Sequence, residues 1–251
     1  MYGLQKASIW KRFSAALFDI ILVAIVSVGV MYLVSLMLDY SSYSARLGEI
    51  QEKYEQTYGV DLDISSEEYG KLSEQETELY DSAFLAFSED SDAVYVTGMM
   101  MNFSLIMITF GLLVGYLTVE FAVPLMFGNG QTLGKKVFGI AVMRKDGIRI
   151  SPILLFARTL LGKYTVGTML PVLIVIMVYF GIMGGVGTVL LVALFGAQLT
   201  LLFATRAHTP IHDLLAQTVT VDITTQIIFE NAEEKERRLA EYADKQKENQ
   251  Q

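Results

Sequence analysis

Long stretches of the chain hold almost no charge. Asp19 is the only charged residue between Phe13 and Leu38, and Glu120 is the only one between Gly98 and Phe127. None occurs from Tyr164 to Thr205. Such runs predict membrane-spanning helices, because about 20 helical residues cross the hydrocarbon core of a bilayer. A soluble core helix of this length would instead carry a charged face. The last run is about twice the length of one span. Its middle reads "GIMGGVG" (Gly181 to Gly187), a turn-rich sequence that divides it. The pattern therefore predicts an all-α membrane protein with four transmembrane helices, over 13–38, 98–127, 164–184 and 186–204.

The polar segments between the runs predict the rest. Segment 39–97 alternates acids with Tyr, Leu and Phe, and holds two S-x-x-E boxes, Ser65–Glu68 and Ser73–Glu76, which signal helix starts. It reads as helical extensions of the first two spans, a protruding outer helical hairpin. "DLDIS" (Asp61 to Ser65) opens like a calcium loop, but Ser66 stands where glycine is needed and Leu72 where the closing acid belongs. In 128–163, Asn129 and Lys136 occupy two fixed positions of a phosphate-binding loop and exclude it. That segment predicts a β-hairpin, Val137 to Met143 and Ile148 to Ile150, turning at Asp146–Gly147. Thr218 to Ile223 reads as a third strand, completing a small cytoplasmic β-sheet. Ser151 to Lys163, with Ser151 as cap and Pro152 at the first helical position, reads as a helix lying on the inner leaflet. The tail, 230–251, is charged and reads as a solvated helix.

Charge then sets orientation. Segment 128–163 has seven basic residues against the single acid Asp146, and 1–12 has Lys6, Lys11 and Arg12. Segment 39–97 has fifteen acids against Arg46, Lys53 and Lys71. The positive-inside rule places 1–12, 128–163 and 205–251 in the cytoplasm and 39–97 outside, in a multi-pass protein of the cell membrane with both termini cytoplasmic. The first run is too long for a signal peptide and carries Asp19, so cleavage is not expected. The absence of cysteine excludes disulfides and thiol chemistry.

Three blocks, "KRFSAALFDIIL" (Lys11 to Leu22), "GQTLGKKVFGIAVMRKDG" (Gly130 to Gly147) and "HDLLAQTVTV" (His212 to Val221), resemble the hallmark blocks of the RDD family of membrane proteins. The family is named for one Arg and two Asp. Arg12 and Asp19 match its first-helix pair, and Asp213 stands for the second Asp. The resemblance implies a multi-pass membrane protein and points to transport, ion–proton antiport having been proposed for some members.

The candidate site is a polar layer. Counted from the inner boundary of each span, Asp19, Glu120, Thr168 and Gln198 lie at similar depth, roughly 6–10 Å into the hydrocarbon at 1.5 Å per residue. Ionisable residues in spans are costly and face protein or a wet cavity. Arg12 and Asp19 share a helix face but are too far apart for direct contact, so each needs another partner. Arg12 or Arg158 can meet Asp213 at the cytoplasmic rim, near Arg206 and His212. Asp19 and Glu120, if close, can share a proton or hold a cation. Pro124 can kink the second span beside them, and Gly111 with Gly115 forms a small-residue patch for close helix packing. His208 and His212, the only histidines, are separated by Pro210, which starts a new helix after Thr209, and no Cys or further His completes a metal site. No metal, cofactor or nucleic-acid partner is expected, and no span holds a nucleophile–base pair for catalysis. The expected role is a proton-coupled cation or small-solute transporter, working as a homo-oligomer in the lipid bilayer. The alternative is a membrane scaffold that docks a partner.

Orientation has a direct test. In this cysteine-free chain, Lys145→Cys should react with an impermeant thiol reagent only from the cytoplasmic side, and Glu49→Cys only from outside. External labelling at position 145 would refute the topology.

Overall fold

The computed structural model describes residues 6–179, 181–182, 184–203, 213 and 216–248. It divides into two compact units, Val28–Gly111, and Met1–Ser27 together with Leu112–Gln251. Three helical runs are long and apolar enough to cross a bilayer: Ile9–Met37 (α1), Ser91–Phe127 and Pro152–Tyr179. The fourth charge-free run forms a helix whose apolar stretch among the described residues is Gly184–Ala197. Among the described residues three candidate spans therefore stand, and the fourth of the charge pattern is a helix without being one of them.

In the unit Val28–Gly111, Asp39 adopts a left-handed conformation and ends α1, and a new helix, α2 (Tyr40–Tyr58), begins. The first span is thus interrupted, not smoothly extended. Both predicted S-x-x-E boxes form. Ser65 caps α3 (Ser66–Tyr69) and Ser73 caps α4 (Glu74–Glu89). In each, the serine hydroxyl accepts the N–H of the glutamate three residues on, and the glutamate returns a bond to the serine N–H. α2 and α4 pack together, and α5 (Ser91–Tyr116) follows. The Tyr54 hydroxyl donates to Asp90 at 2.9 Å, and Tyr43 meets Phe103 edge to face at 5.2 Å. Small residues, Ala83, Ala93 and Val96, form the buried core of this unit.

In the other unit the second run continues past α5 as a π-helical segment, π1 (Leu117–Ala122), then α6 (Val123–Phe127). A short helix, α7 (Leu133–Val137), follows. Val137 to Met143 is therefore not all strand. Thr132 caps α7 by accepting the Lys135 N–H at 3.2 Å, which draws Val137 into helix, and β1 (Ile140–Arg144) starts only after Gly139 at φ 64. The predicted hairpin arm Ile148 to Ile150 reduces to one bridge, Met143 to Arg149, closed by a turn in which Gly147 takes φ 87. The main partner of β1 is β2 (Thr218–Asp222), antiparallel, with Val142 opposite Thr220. Lys6 bridges Val221 on the other edge of β2, and the Ala7 N–H donates to the Thr220 carbonyl, so the start of the chain is tied to the sheet.

The segment 151–163 is not a separate surface helix. Ser151 caps it and Pro152 opens it as predicted, but α8 (Pro152–Ala157) runs on through a second π segment, π2 (Arg158–Met169), into α9 (Leu170–Tyr179). Each π segment ends two residues before a proline, Pro124 or Pro171. A proline lacks the N–H that would close a helical turn behind it. The carbonyl freed at Glu120, four residues before Pro124, accepts the Thr159 hydroxyl at 3.0 Å and so ties π1 to π2. α10 (Gly184–Phe203) packs on α9, and α11 (Ala232–Glu248) carries the charged tail. Its Arg238–Glu234 pair forms at 3.0 Å.

α1 buries one stripe at a spacing of four: Ala15, Asp19, Val23 and Ser27. Two glycines let other elements reach it. A side chain on Gly134 would collide with the Ala15 carbonyl and stand 2.8 Å from Asp19 Oδ1. A side chain on Gly115 would collide with Ser27 Oγ.

The capping boxes give a stability prediction for the exposed unit. Ser73→Ala should lower unfolding stability by about 1 kcal/mol, because the N-cap bond at the start of α4 is lost. Denaturant titration of the full chain checks this, with Ser41→Ala, exposed and inside α2, as the control expected to shift little.

Candidate functional site

Two linked clusters of buried charge occupy the unit that holds the sheet. The first surrounds Asp19 on α1. Its Oδ1 accepts the Gly134 N–H at 2.9 Å and its Oδ2 accepts the Thr132 hydroxyl at 2.5 Å. Lys135 Nζ lies 3.5 Å from Asp19 Oδ2, 3.4 Å from Glu120 Oε2 and 3.1 Å from Thr132 Oγ1. Lys163, on π2, pairs with the other oxygen of Glu120, Oε1. Asp19, Glu120 and Lys135 are all nearly inaccessible, at 1%, 3% and 6% exposure. A carboxylate at such a place is tolerated only when a cation and hydrogen-bond donors replace its water.

The second cluster surrounds Asp213. Its Oδ1 accepts Arg158 Nε at 2.7 Å and the Thr218 hydroxyl at 3.0 Å, and Arg12 reaches its Oδ2 at 4.0 Å. Arg158 and Asp213 are buried. One carboxylate thereby ties α1, π2 and the first residue of β2. Close by, Lys11 pairs with Asp222 at 2.7 Å at the far end of β2. The Lys11 ammonium, and then the Thr224 hydroxyl, pull the Asp222 carboxyl down to about 2.

The predicted residues fall as follows. Asp19 and Glu120 do come to one place, but a lysine lies between them. Both arginines proposed for Asp213 reach it. Thr168 is elsewhere: its hydroxyl bonds the Tyr116 hydroxyl at 2.7 Å and donates to the Lys163 carbonyl at 3.1 Å. Arg206 and His212 lie outside the described residues, as does the side chain of Gln198. Lys135, Lys163 and Thr132 are the members that the charge pattern misses, because they sit in or beside a basic segment that reads as solvated surface. The signal that could have exposed Lys135 is the capping threonine three residues before it, which starts a helix and turns the lysine inward.

Each of the three sequence blocks supplies members of the clusters: Arg12 and Asp19 from the first, Thr132, Gly134 and Lys135 from the second, Asp213 and Thr218 from the third, while Glu120, Arg158 and Lys163 lie outside them. A sequence model of the RDD family matches residues 6–217, which span the charged members of both clusters from Arg12 to Asp213. The chain belongs to the RDD family. RDD proteins are membrane proteins, and this one carries the apolar helices expected of one. No curated protein and no solved structure matches it. In this RDD chain a groove of about 590 Å³ is lined by Pro124, Arg149, Ser151 and Glu230, and no member of the charge clusters lines it. Within the Asp19–Glu120 cluster Lys163 is the more exposed member, at 15%, against 3% for Glu120.

The Asp213 cluster predicts a large loss on truncation. Asp213→Ala leaves Arg158 and Arg12 without their shared carboxylate and should cost about 3–5 kcal/mol. The exposed Glu49→Ala should change stability by less than about 0.5 kcal/mol. Melting midpoints in detergent compare the two, and equal midpoints would remove the Asp213 cluster from the architecture's supports.

Proposed function

We propose that this RDD protein is a proton-coupled transporter of small cations or solutes, multi-pass in the cell membrane with both termini cytoplasmic. Asp19 and Glu120 are the groups that hold the transported charge. The observation that carries this reading is that two buried carboxylates from different spans face one cationic group, with a hydroxyl beside them. Oxygen ligands in that arrangement suit a proton or an alkali cation as well as an ammonium. Ionisable groups at this position are costly, which favours a role on an ion path. Few spans are available to enclose a path within one chain, so a homo-oligomer is part of the proposal. The chain is not proposed as an enzyme, because the buried acids among the described residues are taken up in ion pairs.

A second reading has one observation in its favour. Every buried acid already has a lysine or arginine partner, which is the pattern of a network that locks helices together. A scaffold would need nothing more.

The two readings separate in one paired experiment. Asp19→Asn and Glu120→Gln keep shape and much of the hydrogen bonding but cannot titrate near neutral pH. A transporter predicts folded variants that lose proton flux in liposomes under sodium or potassium gradients. A scaffold predicts variants with lowered melting midpoints and a wild type that shows no flux under either gradient.

A further inference from the structure

We infer that Lys135 is a tethered competitor: its ammonium occupies the place that a transported cation takes, and a monovalent cation binds by displacing it. This inference rests on the transport reading above and names the class of ion and the residue that opposes it.

Three observations carry it. The first is position. Lys135 Nζ stands among three oxygens from three elements, Asp19 on α1, Glu120 on π1 and Thr132 before α7, at 3.5, 3.4 and 3.1 Å. It is a cation in a cage of oxygens, and it is longer from both carboxylates than a direct charged hydrogen bond of about 2.7–2.9 Å. Lys163 and Arg158 also bear on Glu120, and Arg158 is itself paired with Asp213.

The second observation is that each acid keeps other partners when Lys135 leaves, and the one charge then missing beside Asp19 is the charge that the incoming cation supplies. Asp19 keeps the Thr132 hydroxyl and the Gly134 N–H. Glu120 keeps Lys163. By contrast, withdrawing Lys163 would leave Glu120 to the distant contact of Lys135 alone. The third is attachment. Lys163 rides on a span, whereas Lys135 rides on α7, a five-residue helix between the second run and β1. Its four-carbon stem swings about a fixed point while the spans stay still.

Charge selects the ion. With Lys135 seated, two carboxylates face two ammonium groups. Exchange of one ammonium for one monovalent cation keeps that balance, while a divalent cation leaves a surplus positive charge in a buried place, which is expensive. The site therefore suits an alkali cation and rejects calcium and magnesium.

The test uses the purified full-length protein in detergent and equilibrium binding of radioactive sodium and rubidium. Lys135→Met keeps the stem and removes the competitor. Lys135→Arg keeps a permanent cation. The Met variant should bind one of the two ions about tenfold tighter than wild type, the gain expected if the ammonium holds the place about nine-tenths of the time. The Arg variant should bind neither. Should the Met variant be weakly folded, its melting midpoint should rise with sodium or rubidium chloride and stay put with choline or magnesium chloride at equal ionic strength. If wild type binds a cation and the Met variant binds it equally or more weakly, with no salt-specific rise, the competitor role is overturned and the transport reading stands. If neither wild type nor the Met variant binds either ion, the alkali-cation form of the transport reading falls and the competitor role with it.

Discussion

A carboxylate taken out of water must find a cation and donors, or it will not stay charged. That requirement organises this protein. Asp19, Glu120 and Asp213 are each nearly inaccessible, and the elements around them are arranged to answer them. Thr132, Gly134 and Lys135 come from one short segment after the second run, and all three converge on Asp19. Glycine at 134 is required because anything larger would strike the Ala15 carbonyl. Asp213 draws an arginine from α1, an arginine from π2 and a threonine from β2 to one point. The small sheet is part of the same answer, since β2 starts at Thr218 and ends at Asp222, and both of those residues hold a charge cluster in place.

The backbone is adapted to the same end. π-helical segments are uncommon and cluster at functional sites. Here the two of them carry Glu120, Arg158 and Lys163. A π turn places successive side chains differently from an α turn, and Thr165 and Thr168 each donate to the carbonyl five residues back within the wider spacing. Pro124 frees the Glu120 carbonyl, and Thr159 takes it. Glu120 is thereby fixed by its own backbone as well as by its side chain.

Much of this is legible in the sequence because a charge in a long apolar run has few innocent explanations. Asp19 and Glu120 stand out for that reason, and the capping boxes at Ser65 and Ser73 are local signals that read directly as helix starts. The partners of the acids are not legible in that way. Lys135 and Lys163 lie in a segment rich in basic residues, where surface is the default expectation, and only tertiary contact turns them inward. Helix continuity fails for a related reason. Lys163 marks a boundary by charge, but once paired with Glu120 it no longer needs water, and the helix passes through it into α9. The π segments leave no periodicity of their own and show only as prolines placed just beyond them. Val137 is lost to α7 because a single cap at Thr132 outweighs strand propensity over five residues.

The partners of Asp19 lie 113 and 115 positions further along the chain. A ribosome therefore delivers the first span to the membrane long before it makes Thr132 or Gly134. For all that time α1 carries an acid with nothing to meet it. It waits there until the later segment folds back and brings the Thr132 hydroxyl, the Gly134 N–H and the Lys135 ammonium to it. Birth order thus leaves Asp19 unanswered until 113 further residues have been made.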